Sequence, residues 1–128
     1  MADDLQSARY VSFATYRKSG EAVATPVWCA AENRAFFMFS AGDAGKVKRL
    51  RNSSRAALAV CDVRGRALGP WHEATAGMLT EPEDIERALE LLRRKYGWQM
   101  RLADLGAKLT GRFRQRAYIR ATLVTGPG

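Results

Sequence analysis

The side chains best placed to do chemistry lie close together in one segment. Ser40-Ala41-Gly42-Asp43-Ala44-Gly45 is a loop of small residues, and Lys46, Lys48, Arg49 and Arg51 follow directly. Val47 and Leu50 stand three apart, the spacing of one helical turn with an apolar edge facing inward, so a short helix is predicted over 46–51 with Asp43 as its N-cap. A loop with few side-chain atoms lets a ligand approach the backbone. The first turn of a helix offers N–H groups without intrahelical acceptors, and its dipole favours negative charge there. Lys46 and Arg49, also three apart, can reach one anion from one face. This chemistry is phosphate binding without the nucleotide-type loop, because the G-x-x-x-x-G-K-[ST] spacing is absent. A solvated basic turn has the same pattern.

Other residues carry weaker signals. Thr25-Pro26-Val27-Trp28 puts a proline inside an otherwise strand-like run. Proline cannot donate to a ladder, so this is either an edge strand or a place where pairing is interrupted and a flat ring could use the freed backbone groups. His72 precedes Glu73 but has no third partner in sequence, which favours a hydrogen-bonded structural role over general acid catalysis. Tyr10, Tyr16 and Tyr118 suit core or interface positions. Cys29 and Cys61 sit in apolar runs with no C-x-x-C and only one His in the chain, so no metal site is expected and two buried thiols are.

These residues must be positioned by a mostly β scaffold. Arg9–Tyr16 alternates, with Val11, Phe13 and Thr15 on one face. Lys18-Ser19-Gly20 reads as a hairpin turn, Glu21–Ala31 as the second strand and Ala35–Ser40 as a strand covered on both sides. Arg55–Asp62 and Trp71–Thr80 are the next two strands. Thr80 and Glu83 have capping-box spacing before an amphipathic helix over Glu83–Tyr96, which Gly97 ends. Trp98–Lys108 is a second, weaker helix, and Gly111–Val124 returns to strand alternation. Six strands with helical insertions predict one mainly β domain over residues 1–128, a barrel or sandwich that hides its edges by closure. At 128 residues such a chain buries roughly two-thirds of its unfolded surface, enough to fold without disulfide or metal.

The charge balance limits the partners. Lys and Arg number 21 against 13 acidic residues, for a net charge of +8, which concentrates anions of any kind near the surface. The chain has no recognisable nucleic-acid reader motif, and its remaining basic residues alternate along strands or lie on an outer helix face, so nucleic acid is not expected. No signal peptide and no long apolar run are visible, so no membrane partner and a cytoplasmic location are expected.

The runs YVSFATYRKSGEAVATPVWCA, GKVKRLRNSSRAALAVCDVRGRALGP and EATAGML closely resemble the pyridoxamine-phosphate-oxidase-like flavin-binding split barrels. Within them the chain is most similar to the actinobacterial branch of F420-dependent enzymes. The resemblance covers about Arg9 to Leu79, and the order of segments agrees to the end. It implies a six-stranded split β-barrel of the FMN-binding type, assembled as a homodimer with two cofactor sites at the subunit interface. Thr25, Pro26, Val27 and Trp28 would then border the ring of coenzyme F420. Ser40, Gly45, Lys46, Val47 and Arg49 would hold its phosphate and tail, and Cys61 and Asp62 would lie near the ring or its side chain. F420, with a phosphodiester and a polyglutamate tail, is more anionic than FMN, which gives the positive charge a purpose. FMN-using oxidases of the superfamily carry an Arg and a Lys flanking an apolar strand; Thr25–Ala31 lacks that pair, so FMN is the alternative rather than the first expectation.

The activity implied is hydride transfer from reduced F420 to a small conjugated organic substrate, the cofactor carrying the chemistry and the protein supplying placement and electrostatics. An FMN oxidase or reductase, a haem-binding protein and a non-catalytic F420 carrier are the rivals.

Overall fold

The computed structural model describes residues 2–124. In chain order the elements are α1 (Ala2–Ser7), β1 (Val11–Tyr16), β2 (Ala22–Val27), β3 (Cys29–Glu32), β4 (Ala35–Ala41), α2 (Gly45–Asn52), β5 (Arg55–Val60), β6 (His72–Met78), α3 (Pro82–Tyr96) and α4 (Trp98–Leu109). A 3-10 turn at Phe113–Gln115 then leads into β7 (Arg116–Leu123). All strand pairs are antiparallel, in the order β2-β1-β5-β6-β7-β4-β3. The two outermost strands, β2 and β3, are consecutive in the chain and separated only by Trp28. The sheet therefore curls until its first and last strands meet at one residue. That is a split barrel, mainly β as the sequence indicated.

It has seven strands rather than six. The run expected as one strand, Glu21–Ala31, is broken at Trp28, and its two halves pair with different partners: β2 with β1, β3 with β4. Gly111–Val124 is also shorter as a strand than its alternation suggested, because Phe113–Gln115 forms the 3-10 turn. Two expected caps are absent. Ala44, not Asp43, occupies the N-cap of α2, and Glu81, not Thr80, that of α3; neither makes a side-chain capping bond. In α3 the proline at the first turn, Pro82, is pre-set for helix entry without one.

Alternation assigns the two sides of the sheet. Val11, Phe13, Phe36, Met38, Leu58 and Ile119 fill the barrel, all fully buried or nearly so. The outer side of β3, β4 and β7 is covered by the helical segment: Leu92, Tyr96 and Met100 pack on Ala30 and Trp28, and Ala88 packs with Phe37 and Tyr118. On α3 the apolar residues recur at helical spacing and meet that outer face. On the inner side of α2, Val47 and Leu50 are buried, which fixes the helix against the barrel and leaves its N-terminus at the rim.

Candidate cofactor site

The loop after β4 and the start of α2 carry the features of a candidate anion site. Gly45 and Lys46 are the first two residues of α2, where N–H groups have no intrahelical acceptor, and the first turn carries no acidic residue. Gly45 leaves room for its neighbour: a Cβ there would lie 2.7 Å from Arg49 Nη1, so the guanidinium would have to shift. The missing Cβ lets the Arg49 guanidinium fold back over the helix start. Arg49 Nε donates to Thr15 Oγ1 at 2.6 Å, and Lys46 Nζ donates to Ser40 Oγ at 3.3 Å. Neither cation meets a carboxylate among the described residues. Burial pushes the Lys46 ammonium below the usual lysine range, and the adjacent Arg49 pushes it further. Burial and then the charge of Arg17 lower Arg49 in the same direction. Two cations held close without a counter-charge favour an incoming anion. Val47, expected among the ligand-binding residues, turns its side chain into the core, so only its backbone is free to take part.

The second cluster surrounds the break between β2 and β3. Side chains alternate across a strand, so Thr25 and Val27 share a face with Phe13 and Val11, while Pro26 lies on the other. Val27 is buried core. Thr25 Oγ1 is buried with no hydrogen-bond partner, the one such side-chain atom among the described residues. A buried hydroxyl without a partner costs free energy and invites a ligand atom. The Trp28 ring stacks on Tyr96 with centroids 4.8 Å apart and meets Phe39 edge-on at 6.3 Å. Its ring is therefore engaged with α3. The backbone groups released at the break are claimed from the same helix: the Tyr96 hydroxyl accepts from Cys29 N at 2.8 Å, and Lys95 Nζ donates to Cys29 O at 2.5 Å.

Cys61 and Asp62 follow β5 and shape the loop that packs on Pro26. Asp62 Oδ1 accepts from the N–H groups of Arg64 and Arg66 at 3.0 and 2.9 Å. Those bonds, with the Arg66 guanidinium, hold its carboxyl below the ordinary range. The turn they close brings Gly65 against Pro26, where a Cβ would stand 3.2 Å from Pro26 Cδ at a φ of +92°. The Cys61 thiol is buried and pushed up by burial and by Asp62.

The anion loop and the strand break are thus two clusters rather than one. Thr15, beside Arg49, pairs with Val23, whereas Val11 pairs with Val27 at the break. Val11 and Thr15 are four residue steps apart along β1, about 13 Å at the usual strand rise, and Thr25, opposite Phe13, lies midway. Thr15 and Arg17 escaped the sequence reading. A threonine on the apolar face of an alternating strand was their only visible signal. A cleft of about 370 Å³ opens beside this loop, lined by Phe39, Ser40, Ala41, Asp43, Arg112 and Arg116. His72 takes no part: Glu73 bonds instead to Arg55 at 3.3 Å, on the opposite face of β6. No three His, Cys, Asp or Glu side chains gather as a metal site among the described residues.

A curled antiparallel sheet closed through one broken strand is the fold of the pyridoxamine-phosphate-oxidase-like split barrels. The chain belongs to the pyridoxamine 5'-phosphate oxidase family, whose profile it matches over residues 1–124. No curated protein sequence matches it. Solved structures share the fold at low identity. HutZ, the heme storage protein of Vibrio cholerae, is 11% identical with a TM-score of 0.72, over 98% of this chain and 88% of that one. An F420 reductase is 14% identical with a TM-score of 0.61, over 96% and 93%. A FAD-binding protein from Mesorhizobium loti is 14% identical with a TM-score of 0.60, over 97% and 85%.

Proposed function

We propose that the chain binds coenzyme F420 and passes a hydride from its reduced form to a small conjugated organic substrate, as a homodimer with a cofactor at each subunit interface. The observation that carries this reading is the pair Lys46 and Arg49, half-buried at a helix start with no carboxylate partner among the described residues. Such a pair fits a strongly anionic group. The buried, unpartnered Thr25 hydroxyl, opposite Phe13 and on the same face as Thr15, fits a polar edge of a ring. The bound deazaflavin supplies the hydride. The residues of this chain hold it: Lys46, Arg49 and the N–H groups of Gly45 and Lys46 take the anionic end, Ser40 orients Lys46, and Thr15 orients Arg49. Thr25 and the backbone beside Pro26 border the ring, and the Cys61–Asp62 turn supports Pro26 from behind.

Relatives of this fold include an F420 reductase, a FAD-binding protein and a heme storage protein, so the cofactor is tested directly. The purified protein is titrated in parallel with F420, FMN and haem, followed by fluorescence quenching and absorbance. F420 is expected to bind most tightly, and reduced F420 to be oxidised when quinones or enones are added. Preference for FMN or haem overturns the cofactor assignment. Tight F420 binding without turnover of any acceptor makes the chain a carrier.

A further inference from the structure

Helix α4 is apolar on two opposite sides, and only one of them faces the protein. Met100 and Asp104 are buried, and Ala103 and Ala107 are half-buried beside them. On the other side Trp98, Leu102, Leu105 and Leu109 are 69%, 59%, 55% and 78% exposed. At roughly 100° per residue these four fall within a strip about 60° wide, nearly opposite the buried face. Spacings of four, three and four residues align them along the helix. Such a row on a surface calls for an occupant.

The charges beside the strip identify it. Arg101 and Lys108 are exposed and lie on one flank, within about a quarter turn of its centre. Exposed Arg112 follows the helix. The only acidic residue of α4, Asp104, is buried and bonded to Arg93 at 3.0 Å and Arg116 at 2.7 Å. The exposed surface of α4 is therefore apolar and basic, with no acid. Across the groove toward α3 stand Glu86, Glu90, Arg93 and Arg94. Glu90 is neutralised by Arg87 at 3.1 Å and Arg94 at 2.5 Å.

We infer that α4 is a membrane-surface helix that lays Trp98, Leu102, Leu105 and Leu109 into the interfacial layer of an anionic bilayer, with Arg101 and Lys108 at the headgroups. A tryptophan at one end and long basic side chains on the flank are the chemistry of that layer. A second copy packing α4 against α4 fits less well, because both flanks would be basic. The helix lies on the surface: no helix among the described residues is long and apolar enough to cross a membrane. The inference stands independently of the cofactor.

The test is co-sedimentation of the full chain, without cofactor, with vesicles of phosphatidylglycerol and phosphatidylcholine and with vesicles of phosphatidylcholine alone. Wild type is expected to bind the anionic vesicles, and more weakly as salt is raised. Leu105→Gln/Leu109→Gln, checked for folding by near-UV circular dichroism, is expected to lose at least about tenfold in partitioning. Arg101→Gln/Lys108→Gln is expected to lose the preference for anionic lipid. Absence of vesicle binding, equal binding to neutral vesicles, or unchanged binding by the leucine variant overturns the inference. So does sedimentation velocity showing that wild type assembles one step further than the leucine variant without lipid, which would make the strip a protein–protein seam.

Discussion

Replacing Lys46 by methionine should move two quantities in opposite directions. The ammonium is partly buried, holds one hydrogen bond to Ser40 Oγ at 3.3 Å, and shares its surroundings with Arg49. Without ligand, burial and the neighbouring Arg49 both disfavour its charged form. Methionine keeps much of the stem packing and removes the charge, so the melting temperature of the unliganded protein should stay level or rise. With an anionic cofactor the same charge becomes a charge-assisted contact, of about 1.5–3 kcal/mol. Its loss corresponds to roughly a 10- to 150-fold rise in Kd for F420. The assay pairs differential scanning calorimetry of the apo-protein with a fluorescence-quenching titration at fixed ionic strength. A fall in melting temperature beyond about 4 °C, the effect of roughly 1 kcal/mol in a domain of this size, would mean that Lys46 is a structural residue. An unchanged Kd would remove it from the site.

Four further outcomes are expected. Gly45→Ala should displace the Arg49 guanidinium, since the new Cβ would stand 2.7 Å from Nη1; F420 affinity should fall while denaturant stability changes by less than about 1 kcal/mol, the guanidinium being a flexible end. Thr25→Val removes a buried hydroxyl without a partner, so urea unfolding of the apo-protein should show a gain of about 1 kcal/mol, with weaker cofactor binding. Trp28→Ala strips the ring stacked on Tyr96 and should cost about 2–4 kcal/mol in the same experiment. For pH, burial pushes the Cys29 thiol from 9.0 up to about 12. The unfolded thiol ionises first, so its contribution to stability is present below pH 9 and lost progressively between 9 and 12. Cys29→Ala should flatten the decline of stability across that window relative to wild type, as read by chemical denaturation at each pH.

The elements legible from sequence were those in which one periodicity runs unbroken. The alternation of Arg9–Tyr16 became β1, and the helical spacing of Ile85, Ala88, Leu89, Leu92 and Tyr96 became α3. The break at Trp28 was harder to see. Glu21–Ala31 keeps strand-like composition throughout, and only the distant Tyr96 and Lys95 replace the ladder bonds lost there. Pro26 did mark the region, two residues early. At the candidate site, local spacing brought Ser40, Gly45, Lys46 and Arg49 together. Thr15 reached Arg49 only through tertiary packing, which no window on the sequence contains. The outward face of α4 shows the same limit: an apolar residue in a helix reads as core until the structure shows which side the barrel takes.

Strand β7 lies between β6 and β4 in the sheet order. Remove it and what remains is two separate ladders joined along the chain but sharing no strand pairing, a four-stranded sheet of β2, β1, β5 and β6 and a lone β3–β4 hairpin. The ring can be completed only once residues 116–123, which follow every strand they join, are available. Until then both fragments expose open rims, and the rim that would cradle the anion loop is unfinished. Maturation is therefore governed by β7: a nascent or truncated chain lacking residues 116–123 has every other piece of the barrel and no barrel.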